Sequence, residues 1–370
     1  MLGGSDHKSM HSTRVLLFAA SIIAAILGLL LRPAPPLRAG GRALPTGTPI
    51  GIGSPLGLPP VSIPRDNPPT AETIALGRKL FYDARLSVDN TVSCATCHNP
   101  TLAFSDGKQV AEGVRQQKGK RNAPSLLNAV FREGFFWDGR SPSLEAQAEE
   151  PVKNPLEMAH TLEGVEQKLA ADAVYQTAFA RAFGPAPITY EEVAKAIASF
   201  ERTLLSGNSP FDRYFYGHDK SALSASAKRG FELFRNPGEA NCATCHTIGE
   251  QYALFTDNKF HNDSVGPTAQ NDDPIDLGRY VISRTDTDKG AFRTPSLRNV
   301  ELTAPYFHDG SRATLEDVVA FYARGGNPVR YRDKELQPLW LTGQDRADLV
   351  AFLQSLTGEM PANTGPPGKE

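Results

Sequence analysis

Cysteine is scarce in this chain of 370 residues. The four cysteines all fall within two copies of the string Cys-Ala-Thr-Cys-His, at residues 94–98 and 242–246. In a C-x-x-C-H string both thiols bond to a haem and the histidine binds its iron. The sequence therefore predicts two covalently bound haem c groups and a redox function. Because haem attachment uses every thiol, a disulfide framework is excluded.

Zinc binding is the competing interpretation of the two strings, since two cysteine pairs and two histidines offer enough ligands for a tetrahedral ion. A thioredoxin-like thiol pair is another, but no βαβ pattern surrounds either string. The thiol pair also does not explain the histidine after the second cysteine, and the presence of that histidine in two identical strings favours haem over zinc. We therefore expect the cofactors on Cys94, Cys97, His98, Cys242, Cys245 and His246, with the two histidines as iron ligands.

Methionine, a second iron ligand in cytochromes c, is equally scarce, with four in the chain. Met1 and Met10 lie in the N-terminal segment and Met360 lies in a proline-rich tail. The second half therefore has no convincing methionine ligand. Excess charge is lacking too, because the formal net charge is −2. This balance argues against a nucleic-acid partner but not against a local patch that docks another redox protein.

Long hydrophobic runs are missing except at residues 15–31, which follow Lys8 and Arg14. This pattern is typical of a secretory signal, or of an uncleaved anchor with its positive end inside. Either places the rest of the chain in the periplasm, soluble after cleavage or tethered to the inner membrane. We assign residues 1–32 to this segment, and the proline- and glycine-rich residues 33–69 to a flexible linker or an extended arm.

Two halves that repeat each other follow, and we place them at residues 70–215 and 216–358, with a tail at 359–370. Each half begins with a helical Gly-x-x-Leu-Phe signature, starting at Gly77 or Gly230, and closes with an amphipathic helix. A glycine on the face of the first helix allows another helix to approach it closely. This pattern predicts a mainly α fold of two tandem cytochrome c-like domains, each binding one haem.

A second repeat follows each haem string, because Pro-Ser-Leu at residues 124–126 recurs at 295–297, 171 positions later. In this register Trp137 corresponds to His308, and Pro151 corresponds to Tyr322. A tyrosine oxygen can bind haem iron, whereas proline offers no ligand. Tyr322 is thus predicted to close the second haem (haem 2) while the first (haem 1) stays open. The competing interpretation is an interior tyrosine with a hydrogen-bonded hydroxyl.

From about residue 70 to 358 the sequence resembles the bacterial dihaem cytochrome c peroxidase and MauG family. The resemblance rests on the strings LGRKLFYDARLSVDNTVSCATCHNP, GKRNAPSLLNAVF, FFWDGRSPSLEAQAEEPVKNPLEMA, CATCHT, GAFRTPSLRNVELTAPYFHDG and LEDVVAFYARGG. It implies that haem 1 is the peroxidatic haem and that haem 2 transfers electrons.

The resemblance also implies roles for individual side chains. Glu157 aligns with the distal glutamate that moves protons during peroxide cleavage. Gln147 aligns with a neutral distal donor, and Trp137 aligns with the tryptophan between the haems. One Ca²⁺ between the domains is implied at Asn122, Thr303 and Pro305, although no acidic loop motif in the sequence suggests calcium there.

Two departures from the typical peroxidase point toward MauG. Val114 stands where many members have a distal histidine, and Tyr322 replaces the methionine ligand of haem 2. In MauG, however, a tryptophan directly precedes the second haem string, and here the two tryptophans are Trp137 and Trp340. We therefore do not assign maturation of a tryptophan-derived quinone.

We expect a periplasmic enzyme that reduces hydrogen peroxide at haem 1. Its electrons would pass through haem 2 from a small donor such as a cytochrome c or a cupredoxin. Two alternatives stay open. One is a MauG-like oxidase that uses peroxide to modify a side chain of a partner protein. The other is a dihaem electron carrier without peroxidase activity.

Overall fold

The structure of the protein is a computed structural model that describes residues 44–268 and 272–368. The predicted signal or anchor at residues 1–32 lies outside the described residues. In residues 44–268 and 272–368, no helix has the length and apolar character needed to cross a membrane.

The described chain is built mainly of α-helices, which confirms the predicted fold class. The helices are α1 (Ala71–Phe81), α2 (Cys94–Cys97), α3 (Leu144–Lys153), α4 (Leu162–Ala170), α5 (Ala173–Phe183), α6 (Tyr190–Glu201), α7 (Pro210–Phe215), α8 (Ala225–Arg235), α9 (Tyr280–Ser283), α10 (Leu315–Ala323) and α11 (Gly343–Gln354). Two short strands, β1 (Phe260–His261) and β2 (Phe292–Arg293), pair antiparallel with Phe260 opposite Arg293.

A pair of closely packed helices forms the frame of each half. A Cβ added at Gly77 on α1 would lie 1.8 Å from the Ala196 carbonyl oxygen on α6. In the second half, a Cβ at Gly230 on α8 would lie 1.9 Å from the Asp348 carbonyl oxygen on α11. Both contacts are far shorter than any real carbon–oxygen approach, so only glycine fits. The close helix approach predicted from the repeated signature is confirmed.

Replacing Gly77 by alanine is expected to lower the free energy of unfolding by about 3 kcal/mol or more. Overpacking against a helix backbone outweighs the roughly 1 kcal/mol that alanine gains in helix propensity. Urea unfolding of the haem-loaded protein measures this. Gly343→Ala on α11 is the matched control, because its added Cβ meets no heavy atom within 4 Å. Equal stability of the two variants would contradict the close packing.

Aromatic rings fill the core of the second half. Phe211 on α7 contacts Phe231, Phe255 and Phe352, with ring centroids 5.3, 5.2 and 5.7 Å apart. Helix α7 therefore packs into the second core although it precedes the predicted boundary at residues 215 and 216. The boundary itself stays a prediction.

The segment before α1 follows the surface of both halves. Thr46 donates its backbone N–H to the Ala182 carbonyl at 2.9 Å, and the Gly57 carbonyl accepts from the Ala253 N–H at 3.2 Å. Residues 44–69 therefore form backbone hydrogen bonds with both halves, and the linker assignment stays a prediction.

The two halves meet through residues that the repeat makes equivalent. The backbone N–H of Asn122 donates to the His308 carbonyl at 2.8 Å, and that of Arg293 donates to the Trp137 carbonyl at 2.8 Å. Arg293 and His308 lie 171 positions after Asn122 and Trp137 respectively, so exchanging the halves turns one bond into the other. The interface therefore has approximate twofold symmetry, and the haem strings lie on either side of it.

Candidate active site

The first haem string forms the short helix α2 and its C-terminal residue. His98 Nδ1 lies 3.1 Å from the Phe104 carbonyl oxygen, and since a carbonyl only accepts, Nδ1 carries the proton. This bond leaves Nε2 free to bind iron. Burial lowers the pKa of His98 to about 4, so the ring is neutral, as metal binding requires. His98 is therefore prepared as an iron ligand.

The second haem string repeats this arrangement. His246 Nδ1 lies 2.9 Å from the Phe255 carbonyl oxygen, and burial lowers the pKa of His246. A cavity of about 440 Å³ is lined by Cys242, Cys245, His246 and Tyr322 together. Two thiols, a neutral imidazole and a phenol that line one cavity fit a covalently bound haem.

Tyr322 reaches the haem 2 cavity from α10. Its hydroxyl donates to Asp263 Oδ2 at 3.4 Å, and burial, with the nearby Asp263 charge, raises the pKa of Tyr322 well above its usual value. A phenolate at this position therefore requires a bound cation such as iron. The placement fits both a ligand and a hydrogen-bonded interior tyrosine, so iron binding by Tyr322 stays a prediction.

Asp263 is a member of this site that no sequence motif marks. Burial raises the pKa of Asp263 to about 6. Its Oδ1 has no hydrogen-bond partner among the described residues. Its contact with Tyr322 joins residues 59 positions apart, which neither periodicity nor the repeat reveals.

Glu157 lies beyond the end of α3, close to the haem 1 string. Its carboxylate accepts a hydrogen bond from Asn154 Nδ2 at 2.6 Å, and burial raises the pKa of Glu157. Burial also raises the pKa of Cys97 to about 12, and the charges of Asp106 and Glu157 add to that rise. Glu157 is thus a partly buried carboxyl within electrostatic reach of a haem-bonding thiol.

A tight loop holds Glu157 from the other side. The Val114 N–H donates to the Glu157 carbonyl at 2.7 Å, and a Cβ on Gly113 would lie 2.2 Å from the Leu156 carbonyl oxygen. Val114 is fully buried. An apolar side chain therefore occupies the position where the resemblance places a distal histidine in other members, directly beside Glu157.

The other predicted distal residue, Gln147, lies on α3 four positions before Pro151. Residues with this spacing share one face of a helix, so Gln147 and Pro151 face the same side. The Met158 N–H donates to the Pro151 carbonyl at 3.2 Å, which folds the chain back after the helix and positions Glu157. Peroxide binding by Gln147 stays a prediction.

Trp137 lies at the interface between the halves. Its indole Nε1 donates to the Asn122 carbonyl at 2.9 Å, and its ring lies edge-on to His308 at 6.4 Å. His308 in turn stacks on Phe292, with ring centroids 3.6 Å apart. Burial lowers the pKa of His308 to about 4, so this ring is neutral. A row of three rings thus crosses the interface along the wall of the haem 2 cavity.

The residues that the family resemblance implies for calcium also lie around one cavity. Asn122, Thr303 and Pro305 all line the haem 2 cavity, and they offer amide, hydroxyl and carbonyl oxygens of the kind Ca²⁺ binds. Calcium itself stays a prediction.

One further cluster of possible metal ligands includes a cysteine of the second haem string. In residues 44–268 and 272–368, the one group of cysteine, histidine and acidic side chains close enough to share an ion is Cys245, Asp257 and His261. The thiol of Cys245 is consumed by haem attachment. His261 then makes hydrogen bonds, with Nε2 3.0 Å from Asp257 Oδ2 and Nδ1 2.5 Å from Asp333 Oδ2.

Comparison with known proteins agrees with this arrangement. Residues 71–220 match the family described as di-haem cytochrome c peroxidase, and residues 227–357 match the cytochrome c family. The chain is 43% identical over 304 residues to the methylamine utilization protein MauG of Methylorubrum extorquens, covering 82% of this chain and 83% of that protein. The chain belongs to the di-haem cytochrome c peroxidase and MauG family. The predicted tandem cytochrome c-like domains and the family resemblance are confirmed.

Other family members extend the comparison. The cytochrome c551 peroxidase of Pseudomonas aeruginosa is 40% identical, covering 80% of this chain and 82% of that protein. A crystal structure of a MauG-like protein associated with microbial copper homeostasis has a TM-score of 0.75 and 34% identity, covering 82% of this chain and 95% of that chain. The diheme peroxidase BthA of Burkholderia thailandensis has a TM-score of 0.68 and 27% identity, covering 91% and 98%. Covalently bound haem c is thus a property of the family.

Proposed function

We propose that the protein is an oxidoreductase that reduces hydrogen peroxide at haem 1 with electrons that arrive through haem 2. The observation that carries the proposal is the difference between the two sites. A partly buried carboxyl, Glu157, and an apolar residue, Val114, lie together near the first haem string, whereas Tyr322 and His246 both line the second cavity. The bound haems supply the electron chemistry, and the chain supplies proton transfer and access.

The proposed task of Glu157 is to move one proton. Reduction of H₂O₂ to two waters breaks the O–O bond and consumes two electrons and two protons. The Glu157 carboxylate accepts a proton from one peroxide oxygen and returns it to the departing oxygen, while solvent provides the net protons. Burial raises the pKa of Glu157, which makes its carboxylate a stronger base toward the peroxide proton. It also brings that pKa closer to neutral pH, where one group can both accept and return a proton.

Neighbouring residues orient this carboxyl and keep the site open. The Asn154 amide fixes the Glu157 side chain, and the Val114 N–H fixes its backbone. Val114 has no group that binds iron, so no internal ligand has to leave before peroxide enters. Gln147 is proposed to donate a hydrogen bond to peroxide or to water, from the α3 face that it shares with Pro151.

Electron passage between the halves is proposed to use Trp137. Its ring is held by the bond from Nε1 to the Asn122 carbonyl and touches the edge of His308. The rings of Trp137 and His308 come from opposite halves, so they bridge the interface directly. Tyr322 is proposed to bind the second iron and exclude peroxide from haem 2.

The pH dependence of kcat/KM for peroxide should report Glu157. Activity is expected to fall as the pH decreases through the Glu157 pKa, because a protonated carboxyl cannot accept the peroxide proton. Burial raises that pKa, so the acid limb is expected above the ordinary value of 4.5. The same profile measured on Glu163→Gln, an exposed glutamate on α4, is expected to be unchanged. An acid limb at or below pH 4.5 would contradict the assignment.

Steady-state turnover tests the proposal. The haem-loaded protein is mixed with a reduced c-type cytochrome, and donor oxidation is followed with and without hydrogen peroxide. Rapid, peroxide-dependent oxidation of two donors per peroxide is expected. Peroxide consumption without donor oxidation would contradict the proposal, and so would the absence of any peroxide reaction.

A MauG-like modifying oxidase is the second candidate, and Tyr322 is the observation that favours it. The relative that is 43% identical carries the name MauG. Against it, residues 234–241 before the second haem string contain no tryptophan. Slow donor oxidation, together with peroxide-dependent modification of a co-purified partner protein, would favour this candidate over the peroxidase.

The cellular setting and remaining partners are part of the same proposal. We place the enzyme in the periplasm, soluble or tethered to the inner membrane by residues 15–31, because c-type haem is attached there in bacteria. A small cytochrome c or cupredoxin is the proposed donor, and one Ca²⁺ is proposed at Asn122, Thr303 and Pro305.

A further inference from the structure

Two arginines that line the haem 2 cavity have no carboxylate partner among the residues that the structure describes, and they come from opposite halves. Arg132 follows the 3-10 helix Ala129–Phe131 of the first half, and Arg293 lies on β2 of the second. Arg293 is 4% exposed. Arg132 is half-buried, and it lines the cavity.

The hydrogen bonds of both guanidinium groups end on neutral atoms. Arg132 Nη2 donates to the Ser125 carbonyl. Arg293 Nη1 donates to the Thr294 carbonyl at 3.1 Å, and its Nε has no partner in the part of the chain that the structure describes. Neither arginine forms an ion pair with a described residue. Two positive charges in the cavity wall, one half-buried and one buried, are therefore left without a counter-charge from residues 44–268 and 272–368.

The electrostatics of the pair show that this arrangement is unfavourable by itself. Burial lowers the pKa of Arg293 to about 10, and burial, with the nearby Arg293 charge, lowers the pKa of Arg132 to about 9. Glu201 is the carboxyl that acts on Arg132, but burial raises the pKa of Glu201 to about 8. Glu201 is therefore mostly neutral at pH 7 and does not compensate the two cations. An uncompensated buried charge is costly, so an anion is needed.

Other arginines of the protein show what a satisfied partner set looks like. Arg121, also at the interface, pairs with Asp138 at 2.7 Å and with Asp276 at 2.8 Å. Arg298, nearly fully buried, pairs with Asp212 at 2.9 Å. The contrast indicates that the partner of Arg132 and Arg293 is a group bound in the cavity.

We propose that Arg132 and Arg293 together bind the propionate carboxylates of haem 2, so that the first half supplies part of the second haem site. The cavity that they line is the one formed by Cys242, Cys245 and His246. Guanidinium forks match carboxylates in bidentate geometry. This inference rests on haem attachment at the second string and not on the reduction of peroxide.

The pair Arg132 and Arg293, which we call the propionate clamp or simply the clamp, also affects electron transfer. Positive charge beside a haem favours the reduced iron, which carries one positive charge less. Arg132 and Arg293 therefore raise the midpoint potential of haem 2, and they hold the propionates ionised near neutral pH. Because Arg132 belongs to the half that contains haem 1, the potential of haem 2 depends on the correct docking of the two halves.

Redox titration of the haem-loaded Arg132→Gln and Arg293→Gln variants tests the clamp. Electron paramagnetic resonance separates the two ferric haems by spin state. The midpoint potential of haem 2 is expected to fall in both variants, with a smaller change at haem 1. Arg132→Lys keeps the charge and is expected to restore most of the potential. The double variant should shift by less than the sum of the single shifts, because both side chains act on one anionic group.

Arg279→Gln is the matched control. Arg279 is an arginine at the same interface that donates to the Asp138 and Gly139 carbonyls at 3.0 and 3.1 Å, and it does not line the cavity. Its loss is expected to leave the haem 2 potential unchanged. Unchanged potentials in the Arg132 and Arg293 variants, or an equal shift in Arg279→Gln, would overturn the clamp.

A second readout covers the case in which the glutamine variants lose haem. The resonance Raman propionate bending bands of the wild-type and Arg132→Lys proteins are compared under excitation of haem 2. A shift is expected, because lysine cannot reproduce the bidentate bonds of a guanidinium. Identical bands would overturn the proposal. The haem 2 potential is measured without peroxide, and wild-type turnover with peroxide tests the proposed function separately, so failure of one is distinguishable from failure of the other.

Discussion

Replacing Glu157 by glutamine is expected to lower kcat for hydrogen peroxide by about 10²- to 10⁴-fold, the usual contribution of a positioned proton-transfer group. Glutamine keeps the size of the side chain and can still accept the bond from Asn154 Nδ2. It cannot take up and return a proton. Stopped-flow reduction of peroxide by the prereduced protein measures the effect.

The control for this variant is Glu163→Gln, which makes the same chemical change at an exposed position on α4. Its kcat is expected to equal that of the wild type. The spectra of both variants should match the wild type, because Glu157 is not proposed as an iron ligand. If Glu157→Gln retained full activity, proton transfer would have to be assigned to another group.

The second large effect is expected from Tyr322→Phe. Phenylalanine keeps the packing of the ring against Phe307 and Phe321, whose centroids lie 5.9 and 5.6 Å away. It removes the oxygen proposed to bind iron and the bond to Asp263. Haem 2 is therefore expected to change from low-spin to high-spin in the ferric protein. Loss of the hydrogen bond should also cost about 1–3 kcal/mol of stability.

Tyr306→Phe is the control, because Tyr306 lines the same cavity. It is not proposed as a ligand, so haem 2 should stay low-spin in that variant. Electron paramagnetic resonance of the two ferric proteins distinguishes these results. A haem 2 that remained low-spin in Tyr322→Phe would show that Tyr322 is an interior tyrosine with a hydrogen-bonded hydroxyl.

The internal repeat in the sequence predicted the helix pairs that frame the two halves. Gly77 and Gly230 predicted two close helix pairs, and the structure has both, because a glycine on a helix face is needed where backbones touch. The register of 171 positions also identified Trp137 and His308 as equivalent residues. The contact between these two rings was not predictable, because a repeat shows which residues are equivalent but does not show how the two halves pack against each other.

Long-range contacts account for the rest. Asp263 and Tyr322 are 59 positions apart, and Arg132 of the first half lines the cavity that contains the second haem string. Neither periodicity nor spacing encodes such contacts. Phe211 likewise packs into the second core, because a short apolar helix between two domains can join either core and its sequence does not decide which.

The central claim is that two identical haem strings produce two different sites, with haem 1 open beside Glu157 and Val114, and haem 2 closed by Tyr322. The spin state of the ferric protein as isolated tests this most directly. Electron paramagnetic resonance is expected to show one high-spin and one low-spin haem in equal amounts, without prior reduction. A spectrum with low-spin iron alone would contradict an open haem 1, and with it the account of how peroxide enters.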